Sequence, residues 1–207
     1  IAASFQTVVT HATPRDGTAF PWSDRTRRLA AGLTMAVPEM AQSRSVPLDP
    51  VETTGSLARA DELGLLRIGL GAVSPQETDV FGRMRPELFI GRVSDGIGGL
   101  VGPLRAIVAG HAPNRPARTG GAVLEYRLVQ LDWPRAGERF ELRSGLVGVD
   151  NRTMRLVHWM LDPESGKVWG TSEAVAITFD LDARKAVPIE DAAREAMLAT
   201  ATTGLAL

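Results

Sequence analysis

The sequence predicts an α+β fold in which an antiparallel sheet curls around one central helix. Three observations carry this expectation. The second half holds four long runs rich in Val, Leu, Ile, Thr and aromatic residues; short turn-forming segments join them; and a strand followed by an apolar, glycine-rich helical pattern stands immediately ahead.

The four runs are Ala122–Trp133, Glu138–Val149, Asn151–Leu161 and Lys167–Asp180. In the first, Val123, Glu125, Arg127, Val129 and Leu131 alternate with Leu124, Tyr126 and Leu128, the period of a two-faced strand. The connectors carry turn chemistry: Pro134-Arg135-Ala136-Gly137, Asp150-Asn151 and Asp162-Pro163-Glu164-Ser165-Gly166. Such short links predict sequential antiparallel pairing, a four-stranded meander. Ahead of it, Leu65–Val73 reads as a strand and Ser74–Glu77 as a loop. A helix follows over Pro86–Val101, where Phe89, Val93, Ile97 and Leu100 or Val101 recur at helical spacing. That helix contains Gly91, Gly96, Gly98 and Gly99, with Gly102 just beyond. Each interior glycine costs about 1 kcal/mol relative to alanine. The pattern implies either a close backbone approach or a helix that ends near Gly98. Residues His111–Gly121 read as a Pro/Arg/Gly loop.

Composition narrows the function classes. The chain has 207 residues, 44% hydrophobic and 23% charged, enough to bury a core. Lys+Arg number 23 against 24 Asp+Glu, a net charge of −1, which removes the electrostatic argument for a nucleic-acid or anionic-membrane partner. No run approaches the roughly eighteen apolar residues of a spanning helix. With no cysteine, disulfides, thiolate nucleophiles and Cys-based zinc sites are excluded. His11, His111 and His158 show no metal-binding spacing, so neither a metal nor a cofactor is expected. A bacterial cytoplasmic location is the default expectation.

The chemistry-bearing segment is Gln76-Glu77-Thr78-Asp79-Val80-Phe81-Gly82-Arg83-Met84, between the first strand and the helix. Asp79 and Gly82 match an Asp-x-x-Gly-His-like motif. With the strand–helix–four-strand order, this resembles the hot-dog fold of the acyl-CoA thioesterase superfamily, in its hydroxybenzoyl-CoA thioesterase-like branch. The resemblance covers Leu65 to Glu190. Arg83 stands where many members have His, and the Asn that often follows is absent. The resemblance implies hydrolysis of an acyl-CoA thioester, CoA entering only as part of the substrate. Asp79 would be the nucleophile or general base. Backbone N–H groups around Gly82 and the helix start would hold the oxyanion. Arg83 would add positive charge to that hole or grip a phosphate. Phe81 and Arg92 are substrate-binding candidates. Glu87 and Asp95, eight residues apart on one helix face, are secondary candidates for the acid; the plainer reading makes them surface charges, with Arg92 and Asp95 paired. Read from its own surroundings alone, Asp79 is first a loop or N-capping acid. The departure at Arg83 favours an alternative, a non-catalytic hot dog that binds acyl-CoA or completes an assembly. The resemblance also implies a homo-oligomer built by sheet pairing.

The first sixty residues echo the end of the chain. At an offset of 167 positions, Phe5–Thr10 falls on Ser172–Ile177 and Pro21–Arg27 on Pro188–Arg194, both ending in Pro-x-x-Asp-x-x-Arg at a helix start. The expectation is that residues 1–64 hold the last strand of a preceding hot-dog unit plus a linker over Arg44–Arg59, that 65–190 form the hot-dog domain, and that 191–207 form a C-terminal helix and tail. The chain would then be the C-terminal part of a tandem protein, as its start at Ile1 suggests; the alternative is a simple N-terminal extension.

Other motifs fall short. Gly91-Arg92-Val93-Ser94 has the wrong spacing for a nucleophile elbow, and Gly69-Leu70-Gly71 lacks the rest of a dinucleotide fingerprint. No His lies between Asp79 and Asp95, which disfavours hydratase chemistry. His158 reads as a packing residue. Trp133, Trp159 and Trp169 read as core or subunit-interface residues first and acyl-pocket lining second.

Overall fold

The computed structural model describes residues 3–15, 17–112 and 116–207. It divides into two compact units, Ile1–Arg44 and Ser45–Leu207. In the first, β1 (His11–Ala12) pairs antiparallel with β2 (Ala19–Phe20), and α1 (Asp24–Leu33) follows. Ser23 caps α1 by accepting the Thr26 N–H at 3.1 Å. Residues 5–10, expected as a strand, carry no ladder, and Phe5, Val8 and Val9 are exposed. An apolar strand needs a neighbour to satisfy its backbone, and no described residue provides one.

In the second unit, α2 (Leu57–Glu62) precedes β3 (Leu66–Ala72), α3 (Glu87–Gly96) and α4 (Gly98–His111). Then come β4 (Thr119–Gln130), β5 (Arg139–Val149), β6 (Thr153–Leu161), β7 (Val168–Asp180), β8 (Lys185–Ala186) and α5 (Asp191–Leu198). All pairings are antiparallel, in the order β3-β5-β6-β7-β4, with β8 on β7. This is the expected hot-dog sheet around a helix.

The meander is corrected at one link. β4 pairs with β7 rather than β5, so the connector over 131–138 is a crossing and not a hairpin. Eight residues reach up to about 26 Å, while three strand spacings need about 14 Å, so the link is long enough. It is also anchored at the far side. Met84 N–H donates to the Pro134 carbonyl at 2.8 Å, Gly137 N–H to Val73 at 2.8 Å, and Val73 N–H to Glu138 at 3.0 Å. The alternation along β4 breaks as well. A bulge at Leu124 sets Val123 opposite Ala176 and Glu125 opposite Val175, so Val123 and Glu125 lie on opposite faces.

The helix extends beyond its expected end and is broken once, at Ile97. Val101, Leu104 and Val108 of α4 bury against Leu146, Met154 and Leu156 of the sheet and Ala193 and Met197 of α5. That burial outweighs the helix-weakening glycines and Pro103. Among the described residues no helix is long and apolar enough to cross a membrane. The loop expected over 111–121 falls partly on 113–115, outside the described residues; α4 continues to His111 and β4 begins at Thr119.

On α3, Phe89 and Val93 pack with Val73, Met84, Trp133, Phe140, Leu142, Met160 and Trp169. The opposite face of the sheet is covered by the chain itself. Ala60, Leu65, Val157, Trp159, Leu161 and Leu205 form a separate cluster there, and Trp159 Nε1–H donates to the Ala206 carbonyl at 2.9 Å. All three tryptophans of the expected set are buried in these clusters.

Only one of the glycines in α3 and α4 carries the close approach that their number implied. A Cβ on Gly96 would lie 1.9 Å from the Ile68 carbonyl oxygen, whereas one on Gly91, Gly98 or Gly102 would meet nothing within 4 Å. Gly96→Ala therefore forces α3 off β3. Its expected cost is about 3 kcal/mol or more in denaturant unfolding, while Gly91→Ala is expected to be neutral or to stabilise by up to about 1 kcal/mol.

His158 is a packing residue, as expected. It is buried on the helix-facing side, its Nδ1 2.7 Å from Ser144 Oγ. Burial pushes its pKa down to about 4. The folded state therefore binds fewer protons than the unfolded chain between about pH 6.5 and about pH 4. Stability is expected to fall across that window by on the order of 3 kcal/mol. Thermal unfolding against pH checks this; His158→Asn is expected to flatten the profile there.

Candidate active site

Residues 77–85 form a small hairpin between β3 and α3. Arg85 N–H donates to the Glu77 carbonyl at 3.0 Å, Asp79 N–H donates to the Arg83 carbonyl at 2.8 Å, and Thr78 stands opposite Met84 in an antiparallel bridge. Asp79 organises the tip. Its Oδ1 accepts from Phe81 N–H at 2.8 Å and Arg83 N–H at 3.0 Å, and its carbonyl accepts from Gly82 N–H at 3.0 Å. Gly82 has φ +74°, the left-handed conformation this turn demands. Asp79 Oδ2 has no hydrogen-bond partner among the described residues.

The hairpin is anchored on both sides. At its base, Glu77 Oε2 accepts the Ser74 N–H at 2.8 Å, and Oε1 pairs with the Arg92 guanidinium of α3. The Ser74 N–H bond, with help from Arg92 and Arg85, holds the Glu77 carboxyl below its ordinary pKa against the opposing effect of burial. On the other side, Met84 N–H is bonded to Pro134 as described above. Arg83 and Arg135 form an antiparallel bridge, and Arg135 Nη1 donates to the Phe81 carbonyl at 3.3 Å.

Between β3 and α3 lies a cleft of about 360 Å³, lined among others by Gly69, Gly71, Arg92, Asp95, Phe140 and Leu142. Arg92 Cζ stands 5.6 Å from the centre of the Phe140 ring, and Arg92 Nη1 lies 4.0 Å from the exposed Asp95 carboxylate. Arg92 and Gly96 are one helical turn apart. The face of α3 that touches the β3 backbone therefore also presents Arg92 to Glu77.

The structure thus gathers Asp79, Phe81, Gly82 and Arg83 in one loop and places Arg92 and Asp95 at the adjoining cleft. Glu87, in the first turn of α3, is turned to Arg85 at 3.5 Å and does not line the cleft. The amides of Phe81, Gly82 and Arg83, expected as oxyanion donors, are bonded to Asp79 itself. Two connecting residues escaped the sequence reading. Glu77 was legible in the Ser74-x-x-Glu77 capping pattern. Arg135 had no local signal, because its partner strand segment is some fifty residues away in sequence. Among the described residues, no group of three or more His, Asp or Glu side chains is placed to hold a metal ion.

Because Glu77–Arg92 is the tie between hairpin and helix, Arg92→Gln is expected to cost about 1 kcal/mol and to speed amide exchange at Phe81 and Arg83. Exchange in β5 and β6 is expected to stay unchanged, which hydrogen-exchange NMR resolves residue by residue.

Known proteins fit this geometry at the level of fold. Among solved structures, YbaW of Escherichia coli, a probable thioesterase, is 12% identical, with 64% of this chain and 97% of that one covered and a TM-score of 0.52. A hypothetical protein of Staphylococcus aureus in complex with CoA is 13% identical, with 69% and 90% covered and a TM-score of 0.52. An acyl-ACP thioesterase of Bacteroides thetaiotaomicron is 14% identical, with 67% and 54% covered and a TM-score of 0.53. None of the curated proteins matches the sequence. The family model described as the Thioesterase-like superfamily matches residues 73–197, which span the Asp79 hairpin, α3, α4, the four long strands and nearly all of α5. With more than half its length in that match, this chain belongs to the Thioesterase-like superfamily.

Proposed function

We propose that this chain hydrolyses acyl-CoA thioesters, with Asp79 as the general base. One observation carries the reading: the Asp79 carboxylate is fixed at a loop tip by two amides on Oδ1, while Oδ2 stays open. A carboxylate held this way has one oxygen for orientation and one for proton transfer. Oδ2 takes a proton from water as the water oxygen attacks the thioester carbonyl carbon. The tetrahedral intermediate then expels the CoA thiolate, which receives the proton, leaving the free acid. With the loop amides engaged by Asp79, the developing negative charge is assigned to the N-terminal end of α3, where the helix dipole is positive.

A second reading, acyl-CoA binding without turnover, is favoured by those same engaged amides, which leave no open donor pair in the loop. We also assign self-association to the outer edge of β4, which among the described residues pairs only with β7 and exposes Val123 and Leu124. Residues 1–64 are read as the closing part of a preceding unit plus a linker. In support, α1 and α5 both begin at the Asp of Pro-x-x-Asp-x-x-Arg.

Release of free CoA from short, medium, long and aromatic acyl-CoAs tests the first reading, and a cysteine-free protein adds no thiol background. Asp79→Asn retains an Oδ1 acceptor, so the loop is expected to survive with an unchanged melting temperature, while kcat falls about 10²- to 10⁴-fold. Full activity in Asp79→Asn would remove Asp79 from the mechanism. Acyl-CoA binding with no turnover would select the second reading.

A further inference from the structure

We propose that Arg83 and Arg135 form a phosphate-binding pair for the carrier arm of the thioester. The inference rests on the hydrolase reading of the same loop. The two residues stand directly opposite each other in an antiparallel bridge, so their side chains leave the ladder on the same side with Cβ atoms about 5 Å apart. Like charges in that position repel unless an anion lies between them. The other arginines nearby have carboxylate partners: Arg85 with Glu87, Arg92 with Glu77 and Arg139 with Glu164. Among the described residues, Arg83 and Arg135 form no ion pair. Two carboxylates of the same loops each have one oxygen engaged by backbone instead. Asp79 accepts the Arg83 N–H, and Glu138 accepts the Arg135 N–H at 2.6 Å.

The Arg135 guanidinium is already oriented by its bond to the Phe81 carbonyl, and among the described residues its remaining N–H groups have no acceptor. Two guanidinium forks match the oxygens of a phosphate better than those of a single carboxylate. Beside them, Val80 and Phe81 expose 92% and 48% of their surface, an apolar tip next to a doubly cationic site. An elongated thiol carrier with a phosphate at its far end has this mixed character. The phosphate belongs either to CoA or to the phosphopantetheine of a carrier protein, and the shared chemistry is a phosphate ester on a pantetheine arm.

The test measures binding, not turnover, so it is independent of whether Asp79 hydrolyses anything. Calorimetry on the full chain compares pantetheine, 4′-phosphopantetheine and CoA. The expected result is that both phosphate-bearing ligands bind at least about five- to tenfold more tightly than pantetheine and that salt weakens the preference. Arg83→Gln removes a guanidinium that has no ion-pair partner among the described residues. It is expected to reduce the preference without altering the fold, and Arg83→Gln with Arg135→Gln is expected to abolish it. Equal binding of phosphopantetheine and pantetheine overturns the proposal, whether or not CoA binds more tightly. So does a preference that survives in the double variant, or no measurable binding of any of the three. With the preference upheld, affinity for CoA equal to that for phosphopantetheine points to a carrier protein as source, and greater affinity for CoA to the free nucleotide; either result supports the pair.

Discussion

Gly96 lies so close to the carbonyl of Ile68 that α3 has no room to shift against β3. This contact sets the depth at which the helix sits in the sheet. Phe89 and Val93 can then reach Phe140, Leu142 and Met160, and α4 continues the same burial toward α5. One turn before Gly96, Arg92 is brought to Glu77, and through Glu77 the whole Asp79 hairpin is tied to the helix. The position of the candidate base therefore depends on a steric constraint in the core, some distance from the loop that carries it.

The hairpin itself is organised by one side chain. Asp79 takes up the amides of Phe81 and Arg83 through Oδ1, and its carbonyl takes up that of Gly82. A turn this tight would otherwise leave three donors to solvent. The same bonds that shape the loop orient the carboxylate through Oδ1. On the far side, the connector from β4 to β5 closes the loop through Pro134 and Arg135. That connector crosses the sheet instead of folding into a hairpin, and this crossing is what delivers Arg135 to Arg83.

One row of polar groups inside the sheet is paired across strands. Ser144, His158 and Ser172 stand in register on β5, β6 and β7; His158 is bonded to Ser144, and Ser172 to Tyr126 Oη at 2.8 Å. Burial drives the Tyr126 phenol pKa upward, as it drives that of His158 downward. Both groups are thereby held neutral within the core. The opposite face of the sheet is closed by α2 and the C-terminal residues of the same chain, with Thr202 N–H bonded to the Leu146 carbonyl at 2.8 Å.

Local sequence was enough for β3 and the four long strands, the start of α3 and the identity of the loop. Strand periodicity, the turn residues at 150–151 and 162–166, and Asp79 with Gly82 are local signals, each written within a few neighbours. The helix starts at Asp24 and Asp191 were legible for the same reason. Tertiary structure decided what depended on distant contacts. Whether the 131–138 link was a hairpin or a crossing turned on anchors at Val73 and Met84, and the length of α4 on burial against Leu146 and Leu156. Which of several glycines mattered was settled by one carbonyl on another strand. The partner of Arg83 was likewise invisible, because side-chain patterns report periodicity along a chain and carry no record of which segment lies opposite. Local chemistry wrote the parts of the candidate site; long-range packing chose which of them meet.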